Sequence, residues 1–266
     1  MKQINWIIQS NLIDNKTFEG LKKSVTADNA LYQEVYIIPF SDELDILYNY
    51  GFINIFYGTT TLIMNASRIK AYSKGIFYDN NRFQMKKYLS EWKNRMLNFD
   101  GRVITIADFI NENHSDNDEF FIRPNDDTKS FSGCVTTFAN FKGKAAWADG
   151  QNPYYRMDTL ILVCSPKQIE KEWRNIIVKG KVVSSSRYSV YGKKSVDPKD
   201  VPDGMIQFTE NCCTIYTPHD VFVMDVALSD DKYYIIECNC FNDSGFYDHD
   251  IGEIVKSINN YVKERD

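Results

Sequence analysis

The sequence predicts an α+β protein that opens with a small α/β unit. Three patterns in its 266 residues support this. Strand, helix, strand and strand patterns follow one another early in the chain, and hairpin-like patterns take over from residue 172. Between them lies a strongly apolar strand that is followed by Ser165 and Pro166. We therefore expect three units, at residues 1–82, 83–164 and 165–266.

Composition and charge exclude some classes of function. Hydrophobic residues make up 43% of the chain and charged residues 25%, and 17 Phe and 17 Tyr can build a substantial core. The formal net charge of −5 argues against a broad nucleic-acid surface, which is normally basic. We therefore expect no nucleic-acid partner.

The cysteines and the first residues favour a cytoplasmic location. The six cysteines show no zinc spacing, and several lie in apolar strand-like runs, where a reduced thiol acts as a small hydrophobe. The N-terminal residues lack the apolar core and cleavage site of a signal peptide. No stretch approaches the roughly 18 to 20 apolar residues that a membrane span needs. We expect reduced thiols and no membrane partner.

The first unit is predicted from alternating strand and helix signals. Its strands are expected at residues 5–13, 34–39 and 53–57. Asp14 follows the first strand and is a suitable N-cap for a helix. That helix would bury three apolar side chains at helical spacing: Phe18, Leu21 and Val25.

The second unit begins with an amphipathic helix at residues 83–97. Its apolar residues recur on one helical face: Met85, Tyr88, Leu89, Trp92 and Met96. Strands are expected at residues 102–106, 119–123 and 159–164. The stretch 141–158 has Gly, Asn and Pro with little periodicity, and it predicts a loop.

The third unit is rich in hairpins and ends with a helix. Strands at 172–178 and 181–188 flank a two-residue turn, Lys179-Gly180. Residues 190–204 predict a loop, and residues 203–213 predict a helix. A final helix begins at Asp248 or Asp250 and buries an apolar stripe: Ile251, Ile254, Val255, Ile258 and Val262.

The first hairpin carries two arginines and an acid. With a two-residue turn, Val178 pairs with Lys181, and Glu172, Arg174 and Arg187 then share one face. Such a set can clamp a phosphate, because arginine offers a rigid fork of donors. The alternative is a surface ion-pair ladder, which contributes little to stability.

A second cationic segment follows the strand at 119–123. Arg123 ends that strand, and Lys129 lies in the polar loop before Gly133. The backbone amides of such a loop, together with the charge of Lys129, can cover phosphates. The alternative is an ordinary strand-to-turn transition, since the GKS/T pattern of a P-loop is absent.

Two apolar strands near the C-terminus each contain an acid. Asp225 lies in the first, and Glu237 and Asn239 lie in the second. Carboxylates are rarely buried unless they are paired or bound to metal. Glu237 and Asn239 share a face because side chains alternate along a strand, and Asp225 joins them only in the right register. A three-residue turn pairing Ser229 with Tyr233 would place Asp225 opposite Glu237.

This acidic pair favours a metal site. Two like charges about 4 Å apart repel by roughly 4 kcal/mol at an effective dielectric of 20. A divalent cation removes that repulsion, and Mg²⁺ completes its shell of oxygen ligands with waters and substrate phosphates. Asp225, Glu237 and Asn239 are therefore predicted metal ligands. The alternative is a pair of solvated acids at strand ends.

Taken in order, four motifs resemble those of the ATP-grasp superfamily. They are Ile-Arg-Pro with Lys-Ser-Phe-Ser-Gly, Glu-Trp-Arg with Ser-Arg-Tyr, Val-Met-Asp-Val, and Ile-Glu-Cys-Asn. The set looks like a divergent clade that contains the eukaryotic cell-division-cycle assembly factor for translation initiation and many phage and bacterial members. The resemblance implies an ATP-grasp fold, in which two α+β subdomains grip ATP behind a small α/β pre-grasp domain.

The resemblance also implies ATP and Mg²⁺ as cofactors, with the metal bound by Asp225, Glu237 and Asn239. The adenine would lie near the linker strand at Leu162, Val163 and Cys164. Arg123 and Lys129 would contact the phosphates, and Glu172 would lie near the nucleotide. Arg174 would lie near the γ-phosphate or an acyl phosphate. Lys129 and Arg187 would join Arg174 as catalytic residues, although the Ser-Ser-Ser-Arg-Tyr run around Arg187 fits loosely. Residues 242–247 resemble the substrate-side loop of phage-type members.

The activity that the resemblance implies is amide formation. A carboxylate and ATP give an acyl phosphate, which an amine then attacks; the substrates would be an amino acid, a peptide or a protein. A competing hypothesis is a non-catalytic Mg-ATP-binding assembly factor for a protein partner. A third is a metal-dependent nuclease or phosphatase that uses Asp225 and Glu237.

Overall fold

The computed structural model describes residues 2–39, 41, 43–44, 46, 51–127, 131–148 and 156–266. These residues form three sheets, of three, four and five strands. Each sheet is built from one of the three predicted segments of the chain, and the sequence-based bounds at residues 82 and 164 stay predictions. The predicted mixed α+β class is confirmed by this architecture.

The first sheet is parallel, and its strand order is β2-β1-β3. Its elements are β1 (Gln3–Gln9), α1 (Asn15–Ala27), β2 (Leu31–Val35), β3 (Phe52–Tyr57) and α2 (Thr60–Ser67), followed by a 3-10 helix at Lys70–Gly75. The predicted helix and its cap are confirmed, because Asp14 Oδ1 accepts a hydrogen bond from Thr17 N at 2.9 Å. The second strand lies earlier than the predicted 34–39.

The second sheet is antiparallel, and its order is β4-β7-β5-β6. It is preceded by α3 (Met85–Trp92) and a 3-10 helix at Lys93–Arg95, so the helix predicted at 83–97 is shorter than expected. The remaining elements are β4 (Arg102–Thr105), α4 (Ile106–Ile110), β5 (Glu119–Pro124), β6 (Cys134–Thr137), α5 (Phe138–Ala148) and β7 (Leu160–Cys164).

Helix α5 corrects the predicted loop at 141–158. Phe138, Phe141 and Ala145 are buried against Phe109, with ring centroids of Phe138 and Phe141 5.4 and 5.5 Å from that of Phe109. Lysines and a glycine between these side chains weakened the apolar periodicity in the sequence. The loop prediction is therefore wrong for residues 141–148, and residues 149–155 lie outside the described part of the chain.

The third sheet is antiparallel, and its order is β10-β9-β8-β11-β12. The elements are β8 (Lys171–Val178), β9 (Lys181–Val190), β10 (Lys193–Asp197), α6 (Asp203–Cys213), β11 (Val221–Ser229), β12 (Lys232–Asn239), a 3-10 helix at Phe241–Asp243, and α7 (Ile251–Glu264). Strand β10 lies inside the predicted loop 190–204, which corrects that prediction. Asp250 caps α7 by accepting a hydrogen bond from Glu253 N at 3.0 Å.

The register of β8 against β9 separates Arg187 from the other two charged residues. Val178 pairs with Lys181 as predicted, but two bulges follow. Trp173 therefore lies opposite Arg187, and Glu172 lies opposite Ser189. The expectation that Arg187 shares a face with Glu172 and Arg174 is wrong, because the bulge between Ile176 and Ile177 shifts the pairing of Arg187 by one residue.

The register of β11 against β12 brings the two acids together by an unexpected route. The turn has two residues, so Ser229 pairs with Lys232, and both turn residues have positive φ (Asp230 at 49° and Asp231 at 59°). A bulge further along the pair shifts the register by one residue. Asp225 consequently lies opposite Glu237, as predicted, although the predicted three-residue turn is wrong.

One hydrophobic core joins the first and third units. Side chains of β1, β3 and α1 pack with those of β8, β11 and α7 in a single buried cluster. Trp6 Nε1 donates a hydrogen bond to Asn259 Oδ1 at 2.9 Å across this core. Among the described helices, none has the length and apolar character that crossing a membrane requires. All six cysteines are free thiols.

The cap of α1 gives a stability prediction. Replacing Asp14 with Ala should lower the free energy of unfolding by about 1 kcal/mol, because the amide of Thr17 loses its acceptor. Urea denaturation measures the change. The neighbouring exposed Asn15→Ala variant is the matched control and should stay within about 0.5 kcal/mol of the wild type. Equal losses in the two variants would contradict the capping role.

Candidate active site

A cleft of about 840 Å³ lies between the second and third sheets. Strands β5 and β6 supply one wall, and strands β8, β9 and β12 supply the other. Of the side chains predicted to bind ATP or metal, five line it: Arg123, Glu172, Arg174, Glu237 and Asn239. The cleft therefore gathers residues that lie far apart in the sequence.

Two arginine–carboxylate pairs lie at this cleft, and three of their four residues line it: Arg123, Arg174 and Glu237. Arg174 binds Asp225 through two hydrogen bonds, Nε to Oδ1 at 2.9 Å and Nη2 to Oδ2 at 2.7 Å. Arg123 forms an ion pair with Glu237. The Asp225 side chain is only 2% exposed, and it is opposed by Arg174 on β8 and by Glu237 on β12. A row of charges thus crosses three strands, and Arg123 reaches its end from the other sheet.

Burial and charge shift the two carboxyl groups in opposite directions. Burial raises the pKa of Asp225 above its usual range, against the charge of Arg174, and the facing Glu237 adds to the rise. Burial also favours the neutral form of Glu237, but Arg123 and Arg174 outweigh it, and the pKa of Glu237 is lowered. Opposite shifts are expected when two close carboxyl groups share one environment.

Aromatic rings form the wall around Arg174. Tyr188 and Tyr247 stack with ring centroids 4.8 Å apart, and the Arg174 guanidinium carbon lies 5.9 and 5.1 Å from their respective ring centres. Arg174 Nη1 also donates a hydrogen bond to the Gly245 carbonyl oxygen at 3.0 Å. The Tyr188 hydroxyl donates to Glu172 Oε2 at 2.8 Å. These contacts fix the guanidinium where it faces the cleft.

The donor set fits a magnesium ion that is shared with a phosphate ligand. Within the described ranges, no three His, Cys, Asp or Glu side chains converge on one point. Two carboxylates and the amide of Asn239 do converge, since Asn239 Nδ2 donates to Asp225 Oδ2 at 3.4 Å. Mg²⁺ is commonly held by one or two carboxylates plus substrate phosphates. Arg123 Nε is buried without a hydrogen-bond partner among the described residues, so it has a donor available for an anion.

Other predicted site residues lie elsewhere. Arg187 contacts Asp200 and Ser195 on the opposite face of the sheet from Arg174, because the bulge between Ile176 and Ile177 shifts its pairing by one residue. Its predicted place beside the phosphates is corrected. Lys129 lies outside the described residues, so its predicted phosphate contact stays a prediction.

The linker strand supplies no side chain to the described cleft lining, and the predicted adenine contacts near it stay a prediction. Leu162, Val163 and Cys164 are buried in β7, which lies between β4 and β5, and their side chains do not line the cleft. The lining beside this strand comes instead from residues that sequence reasoning missed: Leu97, Asn98, Lys167 and Ile169. Asn98 follows the amphipathic helix and Lys167 follows Pro166, and neither position carries a pattern that distinguishes it from an ordinary loop residue.

Comparison with known proteins identifies the class to which this fold and cleft belong. The family model described as ATP-grasp domain, R2K clade family 2, matches residues 99–256, which is more than half of the chain. The chain belongs to that family of ATP-grasp domains. No curated protein sequence matches it.

Several solved structures share the fold at low sequence identity. The D-cycloserine synthetase DcsG is 9% identical with a TM-score of 0.64, and the alignment covers 98% of this chain and 99% of that one. The ATP-grasp ligase PsnB, complexed with a minimal precursor, is 7% identical with a TM-score of 0.60 over 98% and 100%. The D-alanine–D-alanine ligase from Bacillus anthracis is 13% identical with a TM-score of 0.55, and both chains are covered in full.

The buried pair predicts an asymmetric response to substitution. Arg174→Met should lower the free energy of unfolding by about 3 kcal/mol, because it leaves the Asp225 charge buried and uncompensated. Adding Asp225→Asn to that variant should recover most of the loss. The loss in the single variant should grow as pH rises, because a carboxyl whose folded-state pKa is raised stabilises the fold only while it is protonated.

Chemical denaturation of the single and double variants at two pH values measures these effects. Arg156→Met is the matched control, because Arg156 and Asp158 form an ion pair whose side chains are 67% and 71% exposed. Exposed pairs of this kind contribute little. If Arg174→Met costs no more than Arg156→Met, the argument from burial fails.

Proposed function

We propose that this protein is an ATP-dependent carboxylate–amine ligase that forms an amide through an acyl phosphate. The observation that carries the proposal is the row of two arginine–carboxylate pairs at a cleft between two sheets. Membership of the ATP-grasp family supports ATP as the cosubstrate. The neighbouring structures support the reaction class, because they include ligases that bear the same fold.

Each cleft residue has a proposed role that follows from its chemistry. Arg123 would bind phosphate oxygens through its free Nε, and Lys129 would add a second cation. Arg174 would stabilise negative charge on the acyl phosphate, since its contacts with Asp225 and Gly245 hold it in one orientation. Glu172 would lie beside the nucleotide. The adenine would pack near the β7 linker, against Leu97 and Ile169.

Asp225, Glu237 and Asn239 would hold Mg²⁺. The metal would neutralise charge on the nucleotide phosphates. Arg123 and Arg174 would then be shared between the carboxylates and the phosphate oxygens. Closure of the cleft walls over the substrates would exclude water from an acyl phosphate, which would otherwise be hydrolysed.

The substrates are proposed to be an amino acid, a peptide or a protein with a free carboxylate, together with an amine. Two neighbouring structures contain a peptide-type ligand: PsnB with its minimal precursor, and the macrocyclase MdnC bound to precursor peptide MdnA from Microcystis aeruginosa MRC. The proposed location is the cytoplasm, where ATP is available and cysteine thiols stay reduced.

Turnover is the direct test of the ligase proposal. ADP and phosphate should form in the presence of Mg²⁺ only when a suitable acid and amine are both present. Coupled ADP detection with pooled amino acids and peptides, followed by mass spectrometry of the products, measures this. Tight binding of Mg-ATP with no turnover for any pool would favour a non-catalytic assembly factor instead.

The metal assignment has its own test. Glu237→Gln should weaken Mg²⁺-dependent nucleotide binding by about 10-fold or more while the fold persists, because one carboxylate ligand is lost. Isothermal titration with the non-hydrolysable analogue AMPPNP, with and without Mg²⁺, measures the effect. Glu91→Gln is the control, since Glu91 pairs with Lys87 on α3. Unchanged Mg²⁺-dependent affinity in Glu237→Gln would remove Glu237 from the metal site.

A further inference from the structure

Residues 239–245, which we call the junction segment, connect the metal site to all three units. Cys240 N donates a hydrogen bond to Asp127 Oδ2 at 2.8 Å, which ties the segment to the second unit. The Gly245 carbonyl oxygen accepts from Arg174 in the third unit. Gly58 N in the first unit donates to the Asn242 carbonyl oxygen at 2.9 Å. The segment begins with Asn239, so these ties act directly on a proposed metal ligand.

The side chain of Asn242 docks the junction segment onto the first unit. It is fully buried, and three of its four hydrogen bonds go to backbone groups of that unit, while the fourth comes from Cys240 Sγ at 3.5 Å. Its Oδ1 accepts from Phe77 N at 2.7 Å, and its Nδ2 donates to the carbonyl oxygens of Phe56 and Gly75 at 2.7 and 2.9 Å. A primary amide offers one acceptor and two donors, which matches this set. A carboxylate would lack both donors.

The backbone around Asn242 is also held. The Tyr57 hydroxyl donates to the Ser244 carbonyl oxygen at 2.7 Å, and the Ser244 hydroxyl donates to the Cys240 carbonyl oxygen at 2.6 Å. Phe241 packs against Trp6 and Tyr57, with ring centroids 6.4 and 5.9 Å away. The segment is therefore a short, doubly anchored stretch of chain rather than a loop that adjusts independently.

We infer that Asn242 is a positioning residue for the metal site. By docking the junction segment onto the first unit, it fixes the place of Asn239 and of the Gly245 carbonyl group that orients Arg174. This inference rests on the proposed function, and it gives the first unit a direct part in building the site. Residues that orient metal ligands without touching the metal commonly change metal affinity by about 10- to 100-fold when they are removed.

Two buried asparagines give a matched experiment. Asn259 is as buried as Asn242 and also bridges distant elements, because it accepts from Trp6 and donates to Asp28 Oδ2 at 2.7 Å. It lies on α7, away from the residues that line the cleft. Asn242→Ala and Asn259→Ala should both lower the thermal midpoint. Only Asn242→Ala should raise the Mg²⁺ concentration needed for half-maximal AMPPNP binding, by about 10-fold.

Tyr57→Phe tests the same docking with a milder change, because it removes one hydrogen bond to the junction segment and keeps the ring. It should shift the Mg²⁺ half-saturation in the same direction by about 2- to 3-fold, as expected for one neutral hydrogen bond of about 0.5 kcal/mol. This variant decides the matter if Asn242→Ala does not fold at the assay temperature.

Wild-type Mg²⁺ dependence in both Asn242→Ala and Tyr57→Phe, with only thermal midpoints lowered, would overturn the positioning role and leave the proposed function intact. An equal shift in Asn259→Ala would overturn it as well, because the effect would then reflect general stability. Absence of Mg²⁺-dependent AMPPNP binding to the wild-type protein would overturn both this inference and the proposed function.

Discussion

The cleft depends on one constraint, which is that two facing carboxylates, one buried and the other with a side chain 22% exposed, must be neutralised. Asp225 and Glu237 face each other across β11 and β12, and at about 4 Å their repulsion would amount to roughly 4 kcal/mol at an effective dielectric of 20. Arg174 neutralises the first from the neighbouring strand, and Arg123 neutralises the second from the other sheet. Because the two cations come from different sheets, the charge balance holds only when those sheets lie against each other. The same four groups are therefore both the structural link across the cleft and the chemistry that faces a nucleotide.

The sequence predicts well which side chains of this site share a face of one strand, because side chains alternate along a strand. It predicts poorly which residues of two strands pair across a turn. Glu237 and Asn239 share a face for any register, and that prediction is safe. The pairing of Asp225 with Glu237 came from a wrong turn length that an unforeseen bulge corrected. A bulge between β8 and β9 likewise moved Arg187 to the opposite face, and the second bulge of that pair lies beyond Arg187 and does not restore its position. A bulge adds one residue to one strand and has little effect on composition, so a single sequence does not locate it.

The sequence also does not predict the ion-pair partners that come from distant segments of the chain. The sequence predicts that a metal neutralises the two acids, whereas the structure shows that two arginines already form ion pairs with them. Arg123 and Arg174 were singled out from their own neighbourhoods, but nothing local links Arg123 to Glu237, more than a hundred residues away. The two explanations are compatible, because arginine is the side chain suited both to pair with a carboxylate and to bind phosphate oxygens through the same donors. Arginine neutralises the two carboxylates before a nucleotide binds, and a metal can neutralise them afterwards.

The proposed exchange of partners requires that the backbone around the site be held by contacts other than the ion pairs. If arginines and carboxylates separate when a nucleotide binds, their link between the two sheets is lost at that point, and other contacts must then hold the site in shape. The junction segment supplies contacts of that kind, since most of its hydrogen bonds to the first unit involve neutral amide, hydroxyl and backbone groups. The exception is Asp243, whose Oδ2 accepts a hydrogen bond from Thr60 Oγ1 at 2.8 Å. Helix α7 then returns the chain to pack on β1 and α1, so the first unit meets the third on both sides of the segment. The charged groups can therefore change partners while the hydrogen bonds of the junction segment and the packing of α7 stay in place.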